Sequence, residues 1–285
     1  MNQEHHLHGA LASPSPPPGV ADDWTVPQHW DELTAGDHWV WDTLFARQQS
    51  LLHGRAVSAF ERGLDVLHLS RPGVPNFDEL SEKLHTRTGW QVVGVPGIVP
   101  DDVFFRHLSQ KRFPAAVFIR AADQLDYLEE PDMFHDLFGH VPLLADPAVA
   151  DVMQALGHLG LEAIANGSLH RLSRLYWYSV EFGLACEDSQ LRIYGAGILS
   201  SFSEVHYSLE SPKPRRLNFD LKSVLRARYD IDAFQQLYFV IDRFEDLLTM
   251  MQGQDVPAIC RELDELEDLD PSNVEGTPVS LPLRR

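Results

Sequence analysis

The sequence predicts a mainly α-helical single domain with a few short β strands, an α+β chain, and three observations carry that expectation. Apolar residues recur at helical spacing along most of the 285 residues. Helix-start and helix-stop signals punctuate them, as between Asn76 and Gly89 and at Asp146-Pro147. Two brief apolar runs, WQVVGVPG and FPAAVFIR, suit strands instead. With 44% hydrophobic and 10% aromatic residues, the chain can bury a substantial core.

In chain order, residues 1–22 combine histidines with SPSPPPG, a composition that resists helix and strand and predicts a disordered lead. His5, His6 and His8 in that lead are read as solvated tail residues. From Gly36 to Leu67 the apolar spacing predicts helix, interrupted near Gly54. Asn76, with Glu79 three residues later, caps a helix that Gly89 ends. WQVVGVPG follows as a strand, DDVFFRHLSQKRF as a helix with acids at its start, and FPAAVFIR as a second strand ending at Arg120. Asp146 caps and Pro147 opens the next helix, and Ser168 is the expected cap of a long one through SLHRLSRLYWYSVEFGLACE. RIYGAGILSS reads as irregular or strand-like. Ile231, Phe234, Leu237, Tyr238, Ile241, Phe244, Leu247 and Leu248 form a stripe that predicts one continuous helix. No repeat or interior linker interrupts residues 23–253, so these make one domain. Residues 254–285, acidic and proline-bearing, are expected to fray.

Composition excludes several classes of function. Cys186 and Cys260 stand 74 positions apart, with no spacing suited to a disulfide framework or a cysteine-ligated zinc, and this fits a cytoplasmic protein. No apolar stretch reaches the roughly 20 residues that span a bilayer, and the N-terminus lacks a basic region followed by an apolar one. A formal charge of −19 argues against nucleic acid and anionic membrane as partners. A small molecule is the expected partner.

The chemistry concentrates in PDMFHDLFGHVPLL, residues 131–144. His135 and His140 are five apart, so on an ideal α-helix they point about 140° away from each other. To share one ion they need the backbone to tighten or widen between them, and Gly139 with Pro142 beyond it offers the place. Two separately hydrogen-bonded core histidines are the bland alternative. Glu181 is the only charged residue between Leu175 and Cys186, among Trp177, Tyr178, Leu184 and Ala185. An ionised carboxylate left unpaired there costs several kcal/mol, so it is protonated, paired with Arg174 or Arg192, or bound to metal. Two histidines and one carboxylate suit non-haem Fe(II) with open positions, or a catalytic zinc.

This run, then Glu181 in RLYWYSVEFG, then RIYGAGILSS and FQQLYFVIDRFEDL, resembles the catalytic domain of the pterin-dependent aromatic amino acid hydroxylases in order and spacing, from about Trp24 to Gln252. It is most similar to the short bacterial members that act on phenylalanine. The chain has room for neither the regulatory domain nor the tetramerisation helix of animal relatives, so a monomer or dimer is expected. The resemblance implies conversion of L-phenylalanine to L-tyrosine as the first step of phenylalanine catabolism, with pterin-recycling enzymes as metabolic neighbours.

It also implies residue roles. His135, His140 and Glu181 bind one Fe(2+) ion. Arg120 pairs with the substrate carboxylate, which a guanidinium fork suits, and Asp132 braces Arg120. Pro131 and Trp177 wall the substrate ring, and Ser200 lies near a ligand histidine and the substrate amino group. A tetrahydropterin, tetrahydrobiopterin or another reduced pterin, stacks on Phe104, with backbone contacts near Gly97 and Val99 and with Tyr176 close by. Asp136 reaches the pterin only through water, and both it and Asp101 depart from the animal pattern. The cosubstrate is O2. Ile231 takes the place of an aspartate found in tyrosine hydroxylases, and its apolar side chain favours phenylalanine. A hydroxylase preferring tyrosine or tryptophan, a zinc-dependent hydrolase using the same three ligands, and a non-catalytic helical binding protein are the alternatives.

Overall fold

The computed structural model describes residues 15–126 and 130–280. The histidines of the N-terminal lead lie outside them. Among the described residues, helices dominate and six short strands complete the fold.

Helix α1 (Ala35–Leu52) opens with a reciprocal cap in which Thr34 accepts from the Asp37 N–H and Asp37 accepts from the Thr34 N–H. Gly54 turns the chain, with φ 64°, into α2 (Ser58–Val66). Helix α3 (Phe77–Thr88) starts where Asn76 accepts from the N–H groups of Asp78 and Glu79, and it ends at Gly89 in the left-handed region. Strand β1 (Gln91–Val95), helix α4 (Asp101–Ser109) and strand β2 (Arg112–Ala116) follow, and β1 pairs with β2 in parallel. The second strand ends four residues short of the predicted Arg120, which lies in the extended segment beyond it. Asp146 caps α5 (Pro147–Asn166), accepting from the Ala148 N–H. Two small residues on α5 let α4 come close. A Cβ on Gly157 would sit 2.3 Å from the Ser109 nitrogen, and one on Gly160 would sit 2.1 Å from the Phe105 ring.

The long helix predicted through SLHRLSRLYWYSVEFGLACE divides into three parts. These are α6 (Leu169–Tyr176), a π turn (Trp177–Glu181) and strand β3 (Leu184–Glu187). Ser168 stands at the N-terminal boundary of α6 but makes no side-chain cap bond there. Strand β4 (Gln190–Ile193) returns antiparallel to β3, and GAGILSS becomes a helical turn, α7 (Ala196–Leu199). After α8 (Phe202–Glu210), strand β5 (Arg215–Asn218) and helix α9 (Leu221–Arg226) comes the main departure from expectation. The stripe read as one helix from Ile231 to Leu248 is strand β6 (Leu237–Ile241) followed by α10 (Phe244–Gly253). All five residues of LYFVI are buried, and a short, uniformly apolar run rich in aromatic and β-branched residues fits a central strand better than an amphipathic helix. The second sheet runs β4-β3-β6-β5, with β6 parallel to both neighbours.

The end of the chain is also corrected. Beyond Gln254, α11 (Val256–Leu263) buries Val256, Cys260 and Leu263, and Val274 is buried further on. The acids that suggest a solvated tail find specific cations. Arg171 donates to Asp264 at 2.8 Å and Arg174 donates to both oxygens of Asp268, at 2.7 and 2.6 Å. Both arginines are buried on α6, so the segment after α10 is docked against the helix that leads to Glu181. No helix among the described residues is long and apolar enough to cross a membrane.

Candidate active site

The five-residue spacing of the histidines is resolved by a π turn spanning His135–His140. Its wider i→i+5 pattern returns residues five apart to one face, where an α-helix would part them. His135 Nε2 and His140 Nε2 lie 3.2 Å apart. Glu181, the last residue of the second π turn, brings Oε1 to 3.2 Å from His140 Nε2 and Oε2 to 3.7 Å from His135 Nε2. Among the described residues these three form the one cluster of His, Cys, Asp and Glu side chains gathered tightly enough to hold a metal ion.

Hydrogen bonding around His135 favours a ligand. The Ser200 hydroxyl donates to the Ala196 carbonyl at 2.8 Å, so it accepts from His135 Nδ1 at 2.9 Å. With the proton on Nδ1, the neutral ring turns a lone pair at Nε2 toward His140 and Glu181. Burial holds the imidazole neutral, lowering its pKa to about 4 against the opposing pull of Glu181. Two imidazole nitrogens and a carboxylate, with no thiolate, make a donor set that fits ferrous iron.

The motif is anchored by both of its aspartates. Asp132, fully buried, accepts from Arg120 Nε at 2.9 Å and Nη2 at 2.8 Å, from the Arg120 backbone N–H at 2.9 Å and from the His135 N–H at 3.1 Å. The Arg120 guanidinium holds this carboxyl below its usual range although burial opposes it. Nη1 is not engaged by Asp132. Asp136 accepts the Ala116 N–H at the end of β2, at 2.7 Å, and burial raises its carboxyl to about 7. One aspartate thereby joins the π turn to the Arg120 segment and the other joins it to the sheet.

Trp177, expected to line the substrate, begins the π turn that ends in Glu181. It stacks on Tyr229 at 4.4 Å, meets Phe182 at 4.6 Å with the rings tilted by 34°, and its indole N–H donates to Gln235 Oε1. Pro131 is half-buried beside Asp132. Ile231 lies on the turn through residues 230–233 and is 48% exposed, so the residue expected to select the substrate ring is a surface residue of that turn. Of the residues expected to meet the pterin, Phe104 is buried with its ring edge-on to Tyr176 at 5.5 Å. Burial, and then the charge of Glu181, push the Tyr176 hydroxyl well above its ordinary pKa and keep it protonated. Val99 is buried. Gly97 sits where a Cβ would lie 2.5 Å from Glu130 Oε1, the same oxygen that accepts the Ile98 N–H.

Sequence reasoning missed Glu130, Tyr229 and Gln235. Each touches an expected site residue from a distant part of the chain, and no local pattern marks it.

Comparison with known proteins agrees with this geometry. Residues 27–262 match the family described as biopterin-dependent aromatic amino acid hydroxylase. The chain is 52% identical over 263 residues to a phenylalanine-4-hydroxylase of Caulobacter vibrioides, covering 92% of this chain and 89% of that one. It is 57% identical over 225 residues to one from Ralstonia nicotianae, covering 79% and 72%. The iron- and phenylalanine-bound crystal structure of Chromobacterium violaceum phenylalanine hydroxylase superposes with a TM-score of 0.85 at 46% identity, covering 91% of this chain and 94% of that one. A zinc hydrolase and a non-catalytic binding protein have no support among these relatives. The extent of the match, over most of the chain and in both sequence and fold, makes it a member of the biopterin-dependent aromatic amino acid hydroxylases.

Proposed function

We propose that the protein is a phenylalanine 4-monooxygenase that converts L-phenylalanine to L-tyrosine with Fe(II), O2 and a tetrahydropterin. The observation that carries this reading is the convergence of His135, His140 and Glu181 on one point, with Arg120 braced by Asp132 of the histidine motif, in a chain of this family. Fe(II) held by those three side chains supplies O2 activation, with two electrons from the pterin.

The chain's own residues do the placing. Arg120 offers its guanidinium to the substrate carboxylate, and Asp132, by using Nε and Nη2, fixes the plane in which the fork presents itself. Trp177 and Pro131 wall the ring, and Ser200 orients His135 near the substrate amino group. Phe104 with the Gly97 to Val99 loop forms the pterin side, next to Tyr176. Burial of His140 and Glu181 limits the access of bulk water to the reacting groups. Residues 23–253 are the catalytic unit, acting as a monomer or dimer in the cytoplasm beside enzymes that regenerate the pterin. The exposed position of Ile231 makes it a lesser determinant of specificity than Trp177.

Incubation of purified protein with Fe(II), a reduced pterin, O2 and phenylalanine is expected to yield tyrosine, and His135→Ala or Glu181→Ala to abolish it. Equal tyrosine formation by those variants would overturn the assignment of the site.

A further inference from the structure

Residues 230 to 234 and residue 236 are all exposed, yet Gln235 between them is 4% exposed. A buried amide needs partners for both ends, and here they are of a single kind at each. Nε2 donates to the Asp230 carbonyl at 2.9 Å and the Ala233 carbonyl at 3.1 Å, while Oε1 accepts from Trp177 Nε1 at 3.0 Å. Carbonyls only accept and an indole N–H only donates, so the amide has one possible orientation. Its backbone is held as well. The Gln235 N–H lies 3.5 Å from Glu204 Oε1 on α8, and that buried carboxylate also takes the Tyr238 hydroxyl.

Stacking on Tyr229, with the tilted Phe182 ring packed against it, sets the plane of the Trp177 ring. Stacking alone does not specify how the indole edge is turned within that plane, which leaves one degree of freedom for another contact to fix. A single directed bond at Nε1 removes that freedom.

We infer that Gln235 is a positioning residue for substrate binding, which pins the edge of Trp177 and couples this wall of the aromatic amino acid pocket to the turn through residues 230–233. The inference rests on the reading of Trp177 as a wall of the phenylalanine pocket. Gln235 acts through Trp177, so the two residues share one contribution. Losing the acceptor strands a buried indole N–H, an effect on the order of tenfold in affinity.

The test is L-phenylalanine binding by calorimetry to the Fe(II)-loaded protein without oxygen or pterin, for wild type, Gln235→Met, Trp177→Phe and the double variant. Tyrosine formed per tetrahydropterin oxidised is recorded alongside. Each single change is expected to weaken binding by about tenfold and to lower that ratio, and the double variant to lie within about threefold of the weaker single one. Wild-type affinity in Gln235→Met, or a loss that multiplies in full on Trp177→Phe, would refute the inference. If Gln235→Met does not fold, Gln235→Glu replaces it: this variant retains the acceptor and gives up the two bonds to the turn. Its melting temperature is expected to fall while its affinity stays within about threefold of wild type, and an affinity as weak as that of Trp177→Phe would again be a refutation. A wild-type protein that neither binds phenylalanine nor forms tyrosine would instead refute the proposed function, and this inference with it.

Discussion

Ser200 holds His135 by its Nδ1 at 2.9 Å and is itself fixed by a bond to the Ala196 carbonyl, so a residue on the turn after α7 sets the orientation of a ligand on a different segment. Ser200→Ala is expected to leave the fold intact and to weaken Fe(II) binding by about 10- to 100-fold, the usual loss when the outer partner of a ligand histidine is removed. Competition with a calibrated chelator measures this directly. Unchanged affinity would mean that packing alone orients the ring.

Arg120 and Asp132 form a planar, two-point pair inside the protein. Arg120→Lys retains the charge but loses the fork, so the Michaelis constant for phenylalanine is expected to rise by about tenfold or more, with a smaller change in pterin oxidation. Steady-state kinetics with both substrates varied separates the two effects.

The clasp between α6 and the C-terminal segment predicts a stability change. Asp268→Asn leaves the fully buried Arg174 short of its counter-charge, and breaking such a pair costs about 3 kcal/mol, or about 6 to 10 °C in melting temperature for a chain of this size. The difference also depends on pH. Arg174 holds the Asp268 carboxyl below its ordinary range, so its stabilisation is present above the unfolded value near 3.9 and is lost as pH falls through the lower folded value. Melting curves of wild type and variant are expected to converge below about pH 4. A constant gap down to acid pH would contradict this.

Gly160→Ala would drive a methyl group into the Phe105 ring. The expected cost is about 1 to 3 kcal/mol. Because α4 also carries Phe104, the Michaelis constant for the pterin is expected to rise more than that for phenylalanine. Thermal melting and pterin kinetics measure the two parts.

The helices with strong local punctuation, α3 between Asn76 and Gly89 and α5 after Asp146-Pro147, are legible in the sequence because their boundaries are set within a few residues. Strand β6 is not. Its helical stripe comes from a strand and a helix read as one, and the sheet partners that decide the matter lie more than twenty residues before it in β5 and over fifty before it in β3. The docked C-terminal segment is misread for a similar reason, since Asp264 and Asp268 look solvated until Arg171 and Arg174 are placed beside them. The histidine spacing demands a local widening, but the roles of Arg120, Trp177 and Phe104 come from resemblance. Gln235, 58 positions from the indole it holds, carries no signal of its own.

Both ligand-bearing π turns have a consequence that concerns residue counting more than residue identity. A π turn is a helix with one residue more than its α-helical equivalent. Removing a single non-ligand residue between His135 and His140 would shorten their spacing to four, and on a regular α-helix residues four apart stand about 40° from each other on one face. A plain α-helical turn with that shorter spacing can therefore present the same two imidazoles to one ion. A search that fixes the five-residue spacing would pass over such a chain.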